Sequence, residues 1–345
     1  MEKKEVITVV REPFDAHLHL RDLPLLNQVI GYSVKQFAGA LIMPNLNPPV
    51  VTTKEVAAYR ERIVQALGSS NVTFKPYMTT YLTDQSDRHD VRIGFNEGVF
   101  ISAKLYPPHG TTNSAYGVSC IEKIYPVLEV MQEIGMVLCV HGEMPPNSGV
   151  DIFDREKYFL SEKLYPLVCR FPKLKIVFEH VTTKDACDFV INNGLQATVT
   201  PQHLLLSRNA LFDGGLHPEL YCMPILKKDI HTKAIQEAVI SGNPHFGLGT
   251  DSAPHLNENK YKSCGCAGVF SAPVALESYF GFFYENNIVD KFQTFVSDNM
   301  MRFYGIDLPM KNVEIQAMPD GCEVASNIEG ITPFKAGEKI YWKAV

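Results

Sequence analysis

The segment Phe14-Asp15-Ala16-His17-Leu18-His19-Leu20-Arg21-Asp22 alternates polar and apolar residues. Successive side chains on a strand face opposite sides, so the pattern predicts Asp15, His17, His19 and Arg21 on one face. Ala16, Leu18 and Leu20 would occupy the other. Two imidazoles at i and i+2 can hold one metal ion, although a lone His-x-His is a weak signal. Three more ligand-type residues end apolar runs. His141 follows Met136-Val137-Leu138-Cys139-Val140, His180 follows Ile176-Val177-Phe178-Glu179, and Asp251 follows Phe246-Gly247-Leu248-Gly249-Thr250. Singly, each reads as a hydrogen-bonded buried histidine or a helix N-cap aspartate. Together, at the C-terminal ends of predicted strands, they point to a metal centre.

Lys104 brings a different chemistry. It lies within Val99-Phe100-Ile101-Ser102-Ala103-Lys104-Leu105-Tyr106, a poor environment for an ammonium ion. Desolvation lowers a lysine pKa, and the neutral amine is a nucleophile. Such an amine can add CO₂, and the two oxygens of the resulting carbamate can bridge two metal ions. The alternatives are a side chain snorkelling to the rim or an ion pair with Asp or Glu.

These residues need strands to position them. Short apolar runs predict strands over Pro13–His19, Ala38–Met43, Thr73–Thr80, Val99–Tyr106, Met136–His141, Leu174–His180, Gln196–Thr200 and Phe246–Asp251. Runs that are apolar throughout suit a parallel sheet covered on its outer face. Helical patterns intervene. Thr52-Thr53-Lys54-Glu55 has capping-box spacing ahead of Val56, Tyr59, Ile63 and Leu67, and Ser119-Cys120-Ile121-Glu122 repeats it ahead of Ile124, Leu128 and Met131. Further helices are predicted over Lys184–Ile191 and Ile230–Ile240. Eight strands with intervening helices predict an α/β (β/α)₈ TIM barrel, whose active sites lie at the C-terminal strand ends. An open doubly wound sheet is the second choice; no GxGxxG or P-loop pattern follows the first strand. The chain reads as one barrel domain over residues 1–345. Residues 310–345 form a C-terminal appendage, with strands over Val313–Ala317 and Ile340–Val345.

Composition narrows the partners. The 345 residues hold 32 Lys+Arg and 38 Asp+Glu, a net charge of −6. That balance argues against nucleic acid, which calls for a basic stripe. No apolar run is long enough to span a membrane, and the leading segment is too short in apolar residues for a signal peptide, so a cytoplasmic location is expected. Eight cysteines are too few for a disulfide scaffold in a chain this long. Cys120, Cys139, Cys169, Cys187 and Cys222 read as small core residues, and Cys264-Gly265-Cys266 as a tight loop.

In order along the chain, HLHLRD, MPNLNPPV, AKLYPPHGTTNS, VHGE, FEHVTTKDA, TPQHL, YCMPILK and GTDSAPH resemble the motifs of the dihydroorotases of the amidohydrolase superfamily, most closely the shorter class II bacterial type. The resemblance runs from about Phe14 to Ala272 and is looser beyond. It implies a barrel with two Zn²⁺ per subunit. His17, His19 and Asp251 would hold the first ion and His141 and His180 the second, with Lys104, carboxylated on Nζ, bridging both beside a hydroxide nucleophile. Co²⁺ or Mn²⁺ could replace zinc at such ligands. It also implies the interconversion of N-carbamoyl-L-aspartate with dihydroorotate and water in pyrimidine biosynthesis, with Asp251 as general acid and base.

Arg21 has the planar fork that suits a substrate carboxylate. By resemblance Asn45, His255 and the backbone of Ala267 and Gly268 join it. The backbone of Met223, where the family commonly has Leu, would meet the ring edge. Pro107–Ser114 would be a loop that closes on substrate through Thr111 and Thr112. His203 belongs to the pattern but receives no metal, and a homodimer is implied. Competing readings are another cyclic amidohydrolase (a hydantoinase or allantoinase), a deaminase, or a metal-free barrel scaffold. A deaminase would usually lack the bridging lysine; Arg21, Asn45 and His255 speak against the other amidases, and the complete ligand set against the scaffold.

Overall fold

The computed structural model describes residues 5–68 and 73–345; of the leading segment, residues 1–4 lie outside the described residues. Strand β1 (Val6–Arg11) precedes eight strands that run parallel in chain order: β2 (Phe14–Leu18), β3 (Gly39–Ile42), β4 (Lys75–Tyr81), β5 (Ser102–Leu105), β6 (Val137–Val140), β7 (Lys175–Phe178), β8 (Gln196–Val199) and β9 (Phe246–Leu248). Each overlaps a strand expected from sequence. Beyond β9, the Asp251 amide donates to His17 O at 2.9 Å and the His19 amide to Ser252 O at 3.1 Å. Those bonds join the last strand to the first and close a (β/α)₈ barrel.

The strands are apolar throughout because both faces are buried. Leu18, Ile42, Ala103, Leu138, Ile176 and Phe178 pack outward in one cluster with the helix residues Ile30, Tyr59, Ile63, Leu128 and Val190. A separate interior cluster contains Phe14, Ala16, Leu41, Met43, Val137, Cys139 and Val177.

The first strand departs from simple alternation. Its pairing with β3 shifts register between Asp15 and Leu18. Ala16 therefore joins the interior cluster, away from Leu18 and Leu20. Asp15 does not share the histidines' surroundings. Its carboxylate accepts from Thr250 N at 2.8 Å, Thr250 Oγ1 at 2.6 Å and His17 N at 3.1 Å. Asp15 thus ties the end of β9 to β2 and fixes the entry to His17.

The capping box at Thr52 forms. Thr52 Oγ1 accepts from Glu55 N at 3.3 Å, Glu55 Oε2 accepts from Thr52 N at 2.8 Å, and Val56, Tyr59 and Ile63 are buried along Thr53–Leu67. The second expected box does not. Ser119 turns its amide and hydroxyl to Asp84, at 2.8 and 2.6 Å, leaving no side-chain cap. A 3₁₀ turn, Ile121–Ile124, leads instead into the helix Tyr125–Ile134, with Pro126 in its first turn. The other two expected helices are present as Lys184–Asn192 and Asp229–Ile240. Cys139, Cys187 and Cys222 are buried, but Cys120 and Cys169 are exposed, contrary to their apolar sequence surroundings; all eight cysteines are free. Among the described residues, no helix is long and apolar enough to cross a membrane.

The C-terminal segment is tied to the N-terminus. Strands β10 (Asn312–Glu323) and β11 (Lys339–Ala344) pair antiparallel, and β10 also pairs with β1, giving a three-stranded sheet. That β1 strand was not expected from its sequence. Trp342 on β11 packs against Phe280 and Tyr284 of the helix Ala275–Glu285, with ring centroids 4.9 and 4.5 Å apart.

Candidate active site

The ends of β2 and β9 bring three donors to one point. His17 Nε2 and His19 Nε2 are 3.1 Å apart, and Asp251 Oδ1 is 3.3 Å from the first and 3.0 Å from the second. All three side chains are buried, and burial lowers both imidazole pKa values, His19 to about 3. The rings are therefore neutral and keep a lone pair for a cation. Burial pushes the Asp251 carboxyl up, and the facing His17 and His19, when they carry a proton, pull it well below the usual carboxylate range. Asn45 settles the His19 tautomer. Its Nδ2 donates to Thr112 O at 3.0 Å, so its Oδ1 accepts from His19 Nδ1 at 2.8 Å and leaves Nε2 bare.

His141 and His180 stand beside this group, with ring centroids 4.7 Å apart, and His180 lies 5.2 Å from His17. Burial lowers both their pKa values. His141 Nε2 contacts Glu143 Oε2 at 2.8 Å, which leaves Nδ1 as the nitrogen open to a metal. Two of these residues adopt costly backbone conformations: His180 has φ 43° and Asp251 φ 45°. Positive φ at non-glycine residues is paid for elsewhere in the fold and clusters at functional sites.

Lys104, in the middle of β5, has no solvent exposure and so does not snorkel. Burial lowers its pKa to about 7, against the opposing pull of Cys139 and Asp251. Its Nζ lies against Glu179 Oε2 and 4.8 Å from the Tyr106 ring centroid. The neutral imidazoles, the ionised Asp251 and the buried amine form a donor set that fits a cation. Two groups of ligand-type atoms converge within 4.8 Å, His17/His19/Asp251 and His17/Glu179/His180.

The cavity over these donors is also lined by Arg21, Asn45, Thr111, Thr112, Met223, Ala267 and Gly268. Arg21 is buried at φ 61°. It donates from Nε to Pro254 O at 3.1 Å and from Nη2 to His255 Nε2 at 2.8 Å; that His255 nitrogen lies 3.0 Å from Ala267 O. His255 thus reaches the cavity through Arg21 and Ala267, and Lys104 is not among the residues that line it. Thr112 Oγ1 donates to Ala267 O at 3.1 Å and Asn113 Nδ2 to Asn45 O at 3.0 Å, which lays the loop Pro107–Ser114 across the mouth. His203 stands apart, bonded to Thr200 Oγ1 at 2.7 Å and Pro224 O at 2.9 Å, and supports the chain beside Met223.

Sequence reasoning gave no task to Glu143, Glu179 or Tyr106. All three are buried, and Tyr106 lines the cavity with a hydroxyl that has no hydrogen-bond partner among the described residues. Ile176 and Phe178 pack outward and Val177 inward, so strict alternation points Glu179 inward and would turn His180 away. The positive φ of His180 breaks that alternation. A carboxylate at the end of an apolar strand was the available signal.

A (β/α)₈ barrel that gathers buried imidazoles and a carboxylate at its strand ends defines a class, the metal-dependent barrel hydrolases. Residues 13–307 match the amidohydrolase family. A dihydroorotase of Erythrobacter litoralis is 48% identical over 343 residues, covering 98% of this chain and 99% of that protein. Among solved structures, a dihydroorotase of Campylobacter jejuni superposes with a TM-score of 0.86 at 34% identity, covering 100% of this chain and 98% of that one. A dihydroorotase of Saccharomyces cerevisiae, solved in complex with 5-fluoroorotic acid, gives 0.87 at 30% identity, covering 98% and 99%. The chain belongs to the amidohydrolase family, and within it to the dihydroorotases.

Proposed function

We propose that this enzyme is a zinc-dependent dihydroorotase that interconverts N-carbamoyl-L-aspartate with dihydroorotate and water, a step of pyrimidine biosynthesis. One observation carries the reading: buried His17, His19 and Asp251 converge within 3.3 Å at the floor of a cavity whose wall holds the buried Arg21 guanidinium. A metal-ligand cluster and a carboxylate-binding fork then share one small cavity.

In this reading His17, His19 and Asp251 would hold one Zn²⁺ and His141 and His180 a second, with carboxylated Lys104 as their shared anionic ligand. When bound, the ions supply an ionised water near neutral pH and a Lewis acid for the scissile carbonyl. Asp251, held ionised, takes the proton of the attacking water and passes it to the leaving amide nitrogen. Arg21, with His255 on its outer nitrogen, faces the substrate carboxylate, and Asn45 and the Ala267 backbone complete that pocket. The Met223 backbone meets the ring edge, and Thr111 and Thr112 close over it. The reading extends to a single catalytic unit over residues 1–345 with 310–345 attached, acting as a cytoplasmic homodimer on a small-molecule substrate. Metal analysis together with a dihydroorotate ring-opening assay tests the core of it. Two zinc ions per chain and ring opening lost on chelation are expected; a metal-free protein that still opens the ring overturns it. Sedimentation tests the dimer.

A further inference from the structure

Glu179 is a buried carboxylate to which the proposed reaction gives no task. Its side chain has no solvent exposure. Oε1 lies 3.1 Å from His17 Nδ1, and Oε2 lies against Lys104 Nζ. Among the described residues these four atoms form no hydrogen bond of good geometry, with one another or elsewhere, and meet only in these close contacts. A carboxylate, an imidazole nitrogen and an amine are thus buried together with only one another to satisfy them. Leaving such groups unpaired is expensive.

A neutral imidazole carries one N–H. If the proton sits on His17 Nδ1, toward Glu179, the lone pair is on Nε2, which faces His19 Nε2 and Asp251 Oδ1 at 3.1 and 3.3 Å. Asn45 imposes the same tautomer on His19 through its Nδ1. Lys104 keeps an N–H on Nζ as an amine and as a carbamate. An N–H directed back to Glu179 turns the far side of that nitrogen, where a carbamate carboxyl is attached, toward the histidines.

We infer that Glu179 is a positioning residue that orients two ligands at once: Oε1 accepts the Nδ1–H of His17, and Oε2 accepts the N–H of Lys104. The inference rests on the reading of His17 and Lys104 as metal ligands. Groups that hydrogen-bond to metal ligands commonly change metal affinity by about 10- to 100-fold when removed.

Glu179→Gln tests it with nearly unchanged volume. The amide can accept from one of the two N–H groups but meets the other donor to donor. Zn²⁺ affinity, read by chelator competition, is expected to fall by about 10- to 100-fold. The visible absorption of the Co²⁺-loaded protein shifts, and kcat for dihydroorotate drops with KM little changed, because Arg21 and Thr112 are untouched. Wild-type affinity and an unshifted Co²⁺ spectrum in the variant overturn the positioning role while leaving the proposed reaction standing. So does a variant whose metal-free form loses thermal stability with affinity unchanged, because that marks a purely structural role. A wild-type protein that binds no Zn²⁺ removes the reading beneath it. Should the variant fail to fold, ¹⁵N NMR of histidine-labelled, Zn²⁺-loaded wild type decides: a protonated, slowly exchanging His17 Nδ1 is expected, and an unprotonated one overturns the inference.

Discussion

Lys104 occupies the middle of β5 without solvent, and burial brings its pKa down to about 7. Near neutrality much of it is therefore amine, the form that adds CO₂. In the proposed centre, Lys104→Ala would leave two cations without a bridging anion and Glu179 without one of its close contacts. We expect no measurable ring opening, partly restored by high concentrations of a short carboxylic acid that fits the vacated space. Wild-type rates with both metals retained would exclude a bridging carbamate. Asp251 plays a separable part in the proposal, because it both faces His17 and His19 and is held ionised. Asp251→Asn keeps an oxygen for the metal but cannot take up a proton. A loss of at least about 10²-fold in kcat is expected, in line with a general acid–base contribution. Near-normal turnover at full metal content would remove the proton-transfer role.

At the scale of elements, rigid strand ends carry the candidate ligands, and a loop carries the closing groups. Pro107–Ser114 is held across the mouth by Thr112 Oγ1 to Ala267 O, Asn113 Nδ2 to Asn45 O and Asn45 Nδ2 to Thr112 O. Two of its residues, His109 and Asn113, have φ of 58° and 56°. Closing such a segment excludes water and adds hydroxyl donors when substrate is bound. Deleting the loop should cut turnover while leaving zinc content and thermal stability nearly unchanged. The double change Thr111→Ala with Thr112→Val should act in the same direction more gently, raising KM, lowering kcat, or both. Steady-state kinetics in both directions, with metal analysis of the same preparations, would show it; unchanged kinetics would make the loop an ordinary surface turn.

Across the whole molecule, the three-stranded sheet is fastened to the barrel through Glu277. Its Oε1 accepts from Ala344 N of β11 and its Oε2 from Gln36 Nε2 of the helix Leu25–Gln36, each at 3.0 Å. Burial pushes the Glu277 carboxyl up to about 7, against the pull of those hydrogen bonds. Between its ordinary value of 4.5 and about 7, the folded chain holds a proton that the unfolded chain has released. The group's contribution to stability is therefore complete below pH 4.5 and is lost as pH rises through about 7. A shift of this size corresponds to roughly 3 kcal/mol. Glu277→Gln should flatten the dependence of Tm on pH across that window, while zinc content stays the same. Parallel pH profiles for variant and wild type would contradict the assignment.

The barrel and the positions of its candidate ligands were legible in the sequence because both have local signatures. An apolar run marks a strand buried on both faces, and a His, Asp or Lys interrupting or ending such a run stands out, as at His141, His180, Asp251 and Lys104. The family motifs sharpened this by pointing to Asn45, Thr112 and Ala267, which local pattern alone would not select. Other features depended on what distant segments offer. Val6–Arg11 became a strand because β10, about 300 residues away, presents an unpaired edge to it. Ser119 gave up its capping box because Asp84 accepts both its amide and its hydroxyl. Ala16 and Asp15 left the expected faces where the β2 register shifts, and His180 joined Glu179 on the inside where it adopts a positive φ. Side-chain period and burial are encoded within a few residues. Which partner satisfies a given edge, hydroxyl or carboxylate is a competition among groups far apart in the chain, and only the closed barrel decides it.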